Sequence, residues 1–211
     1  MLTSASLSAR ELRDLVCWPN FLFLNFIVMT SGPQITKRQP QFRLLTREDI
    51  TPMRRLREVM LTNSPECFHA SVADEAALSD AQWASRIGPD EDAFIVGAFL
   101  DGELMGTVGA FRNHARKTAH KVTFWGVYMD PDLRGSGAAE TMLTMAIEQT
   151  RKLDGIQRIT LTLTGSNTRA LRLYERLGFQ VYGEEPDALL INGTLYAEKL
   201  MSLDLGVALD G

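Results

Sequence analysis

Apolar and polar positions alternate along the chain in a way that predicts short strands and amphipathic helices. Residues 42–46 (FRLLT) read as a brief strand. A helical pattern follows over 47–61, with Asp49 or Thr51 near its start and Pro52 at a tolerated early position. A second helical pattern covers 74–87 and is closed by Gly88-Pro89. Two apolar runs, 93–100 and 103–111, flank Asp101-Gly102, a pair that favours the tight turn of a hairpin. Another strand, 121–129, ends at Asp130-Pro131. A long amphipathic helix then opens at glycines 135 and 137 and lasts to about 153, where Asp154-Gly155 stop it. Residues 157–164 alternate, with Ile159, Leu161 and Leu163 facing one way. A short helix follows, capped by Ser166 or Asn167 and ended by Gly178, and two strands at 180–183 and 194–205 close the pattern. The order β-α-α-β-β-β-α-β-α-β-β predicts an α+β fold around one mixed sheet.

Upstream of this pattern, residues 15–29 (LVCWPNFLFLNFIVM) are apolar but broken by Pro19, Asn20 and Asn25, and are shorter than a bilayer span. Arg10, Glu11, Arg13 and Asp14 mix charges, unlike the positive start of a signal peptide. The expectation is an extension packed on the domain or on another subunit, with Met29 open as the natural start. Residues 30–41 are rich in turn formers and read as a linker. The chain therefore divides into an extension and linker (1–40), a folded domain (41–205) and a tail (206–211).

Composition narrows the picture modestly. With 211 residues, 45% of them hydrophobic and 23% charged, the chain can build one well-formed core. A net charge of −4 argues against general nucleic-acid binding, which shows a basic stripe. Cys17 and Cys67 are far apart and form no CxxC, so neither a disulfide framework nor a cysteine zinc site is indicated. A reducing cytoplasm fits that usage, and no membrane attachment is expected.

The candidate chemistry lies at the glycines. A helix opening at Gly135-Ser136-Gly137 aims its free N–H groups at the gap before it, where an anion is the natural occupant. A P-loop is excluded, because Ala138 and Ala139 stand where lysine and Ser/Thr are needed. A Rossmann turn is disfavoured by Glu140 at its third glycine position and by Asp154 at the wrong end of the next strand. The remaining pattern, Arg/Gln-x-x-Gly-x-Gly/Ala, is met by Arg134, Gly137 and Ala139. Further on, NTRALRLYERLGF carries Asn167, Ala170, Leu173, Tyr174, Gly178 and Phe179. Asn167 and Tyr174 are seven residues apart, so they return to nearly one helical face about 10 Å apart. Spacing alone leaves Tyr174 as a core aromatic.

The two motifs together, in this order and each after its own strand, resemble the GNAT superfamily of acetyl-CoA-dependent N-acetyltransferases. The resemblance covers about residues 41–205 and is specific from Val127 to Phe179. It implies a central mixed, mostly antiparallel sheet flanked by helices, with splayed fourth and fifth strands. Acetyl-CoA would enter the gap as cosubstrate, without a metal. Main-chain groups of Val127, Tyr128 and Met129 would hold its arm and thioester. Arg134, Gly135, Ser136, Gly137, Ala138 and Ala139, with Glu140, would hold the pyrophosphate, and Asn167 would contact the pantetheine. An amine acceptor, a small molecule or a protein amine, would attack directly through a tetrahedral intermediate. Tyr174 would protonate the departing sulfur. Glu66, His69, Glu75, His114 and His120 lie in regions that could border the acceptor cleft, and the base stays unassigned among them and a water chain. A non-catalytic acetyl-CoA sensor, or a transferase of another acyl group, is the alternative on the same fold. A homodimer stays open.

Overall fold

A computed structural model describes residues 39–87 and 92–206. Expectations for 1–38, for Gly88-Pro89 and for most of the tail lie outside the described residues. Seven strands form one sheet: β1 (Gln41–Leu44), β2 (Ala93–Leu100), β3 (Glu103–Arg112), β4 (Lys121–Met129), β5 (Arg158–Thr164), β6 (Gln180–Ile191) and β7 (Thr194–Asp204). Their order across the sheet is β1-β2-β3-β4-β5-β7-β6, and only β4 and β5 run parallel. The helices are α1 (Ile50–Asn63), α2 (Val72–Ala76), α3 (Asp80–Arg86), α4 (Ala138–Arg151) and α5 (Thr168–Arg176). The expected α+β architecture is the one observed.

Each face of the sheet carries its own core. Phe94, Val96 and Ala98 of β2 point to one side, where Met142, Leu143 and Ala146 of α4 cover them. Ile95 and Phe99 point to the other, against Met53, Leu56 and Met60 of α1 and Trp83 of α3. This is why β2 is one unbroken apolar run: a strand covered on both faces has no polar side.

Three local expectations change. The helical pattern at 74–87 is two helices, because Ser79 interrupts it as a cap. Its Oγ accepts the Gln82 N–H at 3.3 Å, and its own N–H donates to Gln82 Oε1 at 2.9 Å. Ser71 and Asp74 start α2 by the same reciprocal device. The strand expected at 180–183 extends to Ile191 as β6, an edge strand that tolerates Pro186 and the positive φ of Asp187. Finally, α1 begins at Ile50 after a 3-10 turn, and the Asp49 side chain turns away from it. Asp49 accepts the Thr46 N–H at 2.8 Å and both ends of the Arg43 fork at 2.7 Å.

What positions the site is the parting of β4 from β5. Only Lys121, Val122 and Thr123 pair with Arg158, Ile159 and Thr160. Beyond them β4 stays with β3 as far as Met129, while β5 stays with β7 through Thr164. The β3–β4 register slips between Thr107 and Gly109, and Gly126 at the slip has φ 58°. A bulge of this kind bends the strand and increases its twist. Thr107 Oγ1 secures the bend by donating to the Gly126 carbonyl at 3.0 Å.

Candidate functional site

The parted strands open a cleft of ≈ 1490 Å³. All the residues singled out for binding and catalysis line it, except Ser136 and Ala138. Those two serve the turn itself. Ser136 Oγ donates to the Leu133 carbonyl at 2.7 Å and accepts from the Ala138 N–H at 3.3 Å, and Ala138 is buried beneath.

Along the α4–α5 side the surface is largely backbone and arginine. Gly137 caps α4 at φ 88°, a conformation side chains resist, and an added Cβ would meet no protein atom within 4 Å. The space over the N-terminus of α4 is therefore open to a group with oxygens to offer its N–H donors. Arg134 folds back, its Nε donating to the Met129 carbonyl at 3.0 Å. Arg169, Arg172 and Arg176 of α5 also line the cleft, and Arg176 pairs with Glu140 at 3.1 Å. Sequence reasoning overlooked these three arginines, although their spacing of three and four residues puts them on one helical face. An open glycine turn, an unpaired β4 edge and an arginine row fit a ligand with a diphosphate and an extended polar arm.

At the head of the cleft Asn167 caps α5: its Oδ1 accepts the Ala170 N–H at 3.1 Å, and its Nδ2 points at Cys67 Sγ, 3.8 Å away. Tyr174 lines the cleft while packing edge-on to Phe179, with ring centroids 5.7 Å apart. It is thus both a cleft residue and a core aromatic. Burial, reinforced by Cys67, raises the Tyr174 phenol far above its ordinary range, so it holds its proton at neutral pH.

The α1–α3 side is built from side chains. Arg57, 6% exposed, donates through Nε to Glu75 Oε1 at 3.1 Å, and Arg86 holds the other Glu75 oxygen at 3.0 Å. Arg57 also sits over the rings of Phe68 and Trp125, and burial lowers its pKa. Among the five base candidates, Glu66, His69 and Glu75 line the cleft; His114 and His120 do not. Glu198 of β7 was not singled out beforehand. It is a buried carboxylate, 4% exposed, that lines the cleft and binds His69 Nε2 through both oxygens, at 3.0 and 2.9 Å. Nothing local in the sequence marks it, because its surroundings come from a loop 129 positions away.

Comparison with known proteins shows the family of this fold. The model of the acetyltransferase (GNAT) family matches residues 54–179, more than half of the chain. The chain belongs to that family. Among curated proteins, it is 31% identical over 130 residues to the ribosomal protein uS5-alanine N-acetyltransferase of Escherichia coli, covering 58% of this chain and 66% of that protein. It is 32% identical over 92 residues to the spermine/spermidine N(1)-acetyltransferase of Bacillus subtilis, covering 42% and 60%. For the mycothiol acetyltransferase of Brachybacterium faecium the match is 29% over 115 residues, 53% of this chain and 34% of that one. The chain thus spans about a third to three fifths of the length of the first curated relatives it matches. Solved structures share the fold. A GNAT acetyltransferase from Streptococcus pneumoniae superposes with a TM-score of 0.71 at 18% identity, over 79% of this chain and all of that one. YncA from Salmonella typhimurium, solved with its cofactor acetyl-CoA, gives 0.70 at 17% identity, over 81% and 96%. Among the described residues, no helix is long and apolar enough to cross a membrane.

Proposed function

We propose that the protein transfers an acetyl group from acetyl-CoA to a primary amine. The observation that carries this reading is the unpaired reach of β4 beyond Thr123, with Tyr174 beside it and the open turn at Gly137 at its far end. When bound, acetyl-CoA supplies an activated thioester, so the chain needs only to hold, orient and move protons. The turn from Arg134 to Ala139, with the arginines of α5, holds the diphosphate through N–H donors and positive charge. The free main-chain edge at Val127, Tyr128 and Met129 orients the arm as a neighbouring strand would, and its fixed N–H donors suit a developing oxyanion. Asn167, at the start of α5, would contact the pantetheine. Tyr174, a phenol protonated at neutral pH, donates to the leaving sulfur.

The named activities of the relatives support an amine acceptor and differ in everything else about it: a polyamine, an L-amino acid, an alanine of a ribosomal protein. The test is a panel of such amines with acetyl-CoA, read by release of free thiol and by product mass. Thiol release matched by a mass gain of one acetyl group is expected for at least one of them. Acetyl-CoA binding without release across the panel would turn the reading towards a sensor.

A further inference from the structure

The loop between α1 and α2 is fastened to the head of the cleft at three successive points. Thr164 Oγ1 of β5 donates to the Glu66 carbonyl. The Asn167 amide meets Cys67 Sγ at 3.8 Å. His69 reaches Glu198 of β7, the residue paired with Thr164 across the β5–β7 ladder. Cys67 is also near enough to Tyr174 to perturb its phenol. These ties bring His69 to the end of the cleft where the sulfur donor stands, on the side facing α1–α3.

Chemistry distinguishes His69 from its neighbours there. Glu75 is committed to two arginines, and Glu66, held through its carbonyl by Thr164, has only a weak thiol donor, Cys67 Sγ at 3.8 Å, on its carboxylate. His69 alone has an acidic orienter. A carboxylate only accepts hydrogen bonds, so both Glu198 oxygens require a proton on Nε2. In the neutral imidazole this places the free lone pair on Nδ1, which has no hydrogen-bond partner among the described residues. The ring is 64% exposed, so a proton taken up at Nδ1 can pass to water. A buried carboxylate fixing the tautomer of a more exposed histidine is the arrangement that makes imidazole a directed base.

We propose that His69 is the catalytic base for the acceptor amine and that Glu198 is its positioning residue. This rests on the acetyltransferase reading. The amine nitrogen forms its bond to the acetyl carbon and loses a proton to His69 Nδ1. The carbon–sulfur bond breaks, and the sulfur takes the Tyr174 proton. His69 then returns its proton through water and Tyr174 is reprotonated, so one amine and one thioester give one amide and one thiol. Other titratable or charged groups lining the cleft near these elements are Glu66 and Cys67 on the same loop, Arg57 of α1, Glu75 of α2, Arg86 of α3, Tyr128 of β4, Arg134 of the glycine turn and, on β6, Tyr182.

The test compares wild type with His69→Ala, His69→Gln and Glu198→Gln, using the best amine from the panel. Removing the base should lower kcat/KM about 100- to 10,000-fold and abolish the ascending limb that it contributes to the pH profile. Acetyl-CoA binding, measured by calorimetry, should be unchanged. Added imidazole should restore turnover to His69→Ala, which a purely structural role would not allow. Glu198→Gln should fall between wild type and His69→Ala; should it fail to fold, the exposed His69 variants still decide. Turnover within about twofold of wild type in His69→Gln, an unaltered limb, or no imidazole rescue would overturn the proposal while leaving the acetyltransferase reading intact. A wild-type protein that releases thiol with no amine would overturn both.

Discussion

The two sides of the cleft are made of different materials. On the α4–α5 side the surface is main chain: a glycine turn, a helix N-terminus and the unpaired edge of β4, with a row of arginines added. On the α1–α3 side it is side chains drawn from distant elements, Arg57 with Glu75 and Arg86, and His69 with Glu198. Main-chain recognition depends on local conformation and suits a ligand that never changes. Side-chain recognition depends on tertiary placement and can be altered one residue at a time. A fold that keeps one substrate and varies the other would place them on these respective sides.

The comparison can be tested where the two sides meet. Tyr174→Phe removes only a hydroxyl and keeps the edge-on packing against Phe179. It should lower turnover about 100- to 10,000-fold with little change in acetyl-CoA affinity, checked by steady-state rates beside calorimetry. Near-normal turnover, where chemistry is limiting, would return Tyr174 to the role of a core aromatic.

On the side-chain face, Glu75→Gln strips the counter-charge from a guanidinium that is 6% exposed. The loss should be about 3–5 kcal/mol in denaturant unfolding, because a buried charge is left uncompensated. On the main-chain face, Gly137→Leu should strain the turn at φ 88° by about 1–3 kcal/mol and fill the space over α4. Acetyl-CoA at a hundredfold excess over its dissociation constant stabilises a binding protein by about 2.7 kcal/mol, and this increment should vanish from the melting curve. If Gly137→Leu binds normally while folded, the turn is not part of the site.

The smallest effect lies away from the cleft. Asp49, buried and held by the Arg43 fork, has a carboxyl pKa below the ordinary carboxylate range, chiefly through that hydrogen-bonded pair. Because the folded value is the lower one, its stabilisation is complete above the unfolded value of about 3.9 and is lost as pH falls through the folded value. Asp49→Asn should cost about 1–3 kcal/mol at neutral pH and flatten the acid limb of stability without altering acetyl-CoA binding. An unchanged acid limb would assign that limb to other carboxylates.

Most of the sheet was legible before any coordinates, because its signals are local. Asp101-Gly102 adopts the positive φ of a tight hairpin turn, and period-two alternation located β5. The helical stretch at 74–87 was misread for a related reason: apolar periodicity continues through Ser79, while the capping hydrogen bonds that divide it are subtler than the pattern. In the site, the motifs at Arg134–Ala139 and Asn167–Tyr174 were readable because each is a few consecutive residues in one conformation.

By itself, then, the sequence determined the succession of seven strands, the glycine turn and the helix that carries Tyr174, since each depends on residues within one or two turns of one another. Only the tertiary structure decided that Glu66, His69 and Glu75, of the five base candidates, line the cleft. It also brought in Glu198, 129 positions from the histidine it orients. That selection follows from the parting of β4 and β5, which opens one end of the sheet, and from the β5–β7 ladder, which sets Glu198 beside Thr164. Strand pairing across the sheet is a property of the whole fold, and no local pattern of residues encodes which side chains it will bring face to face.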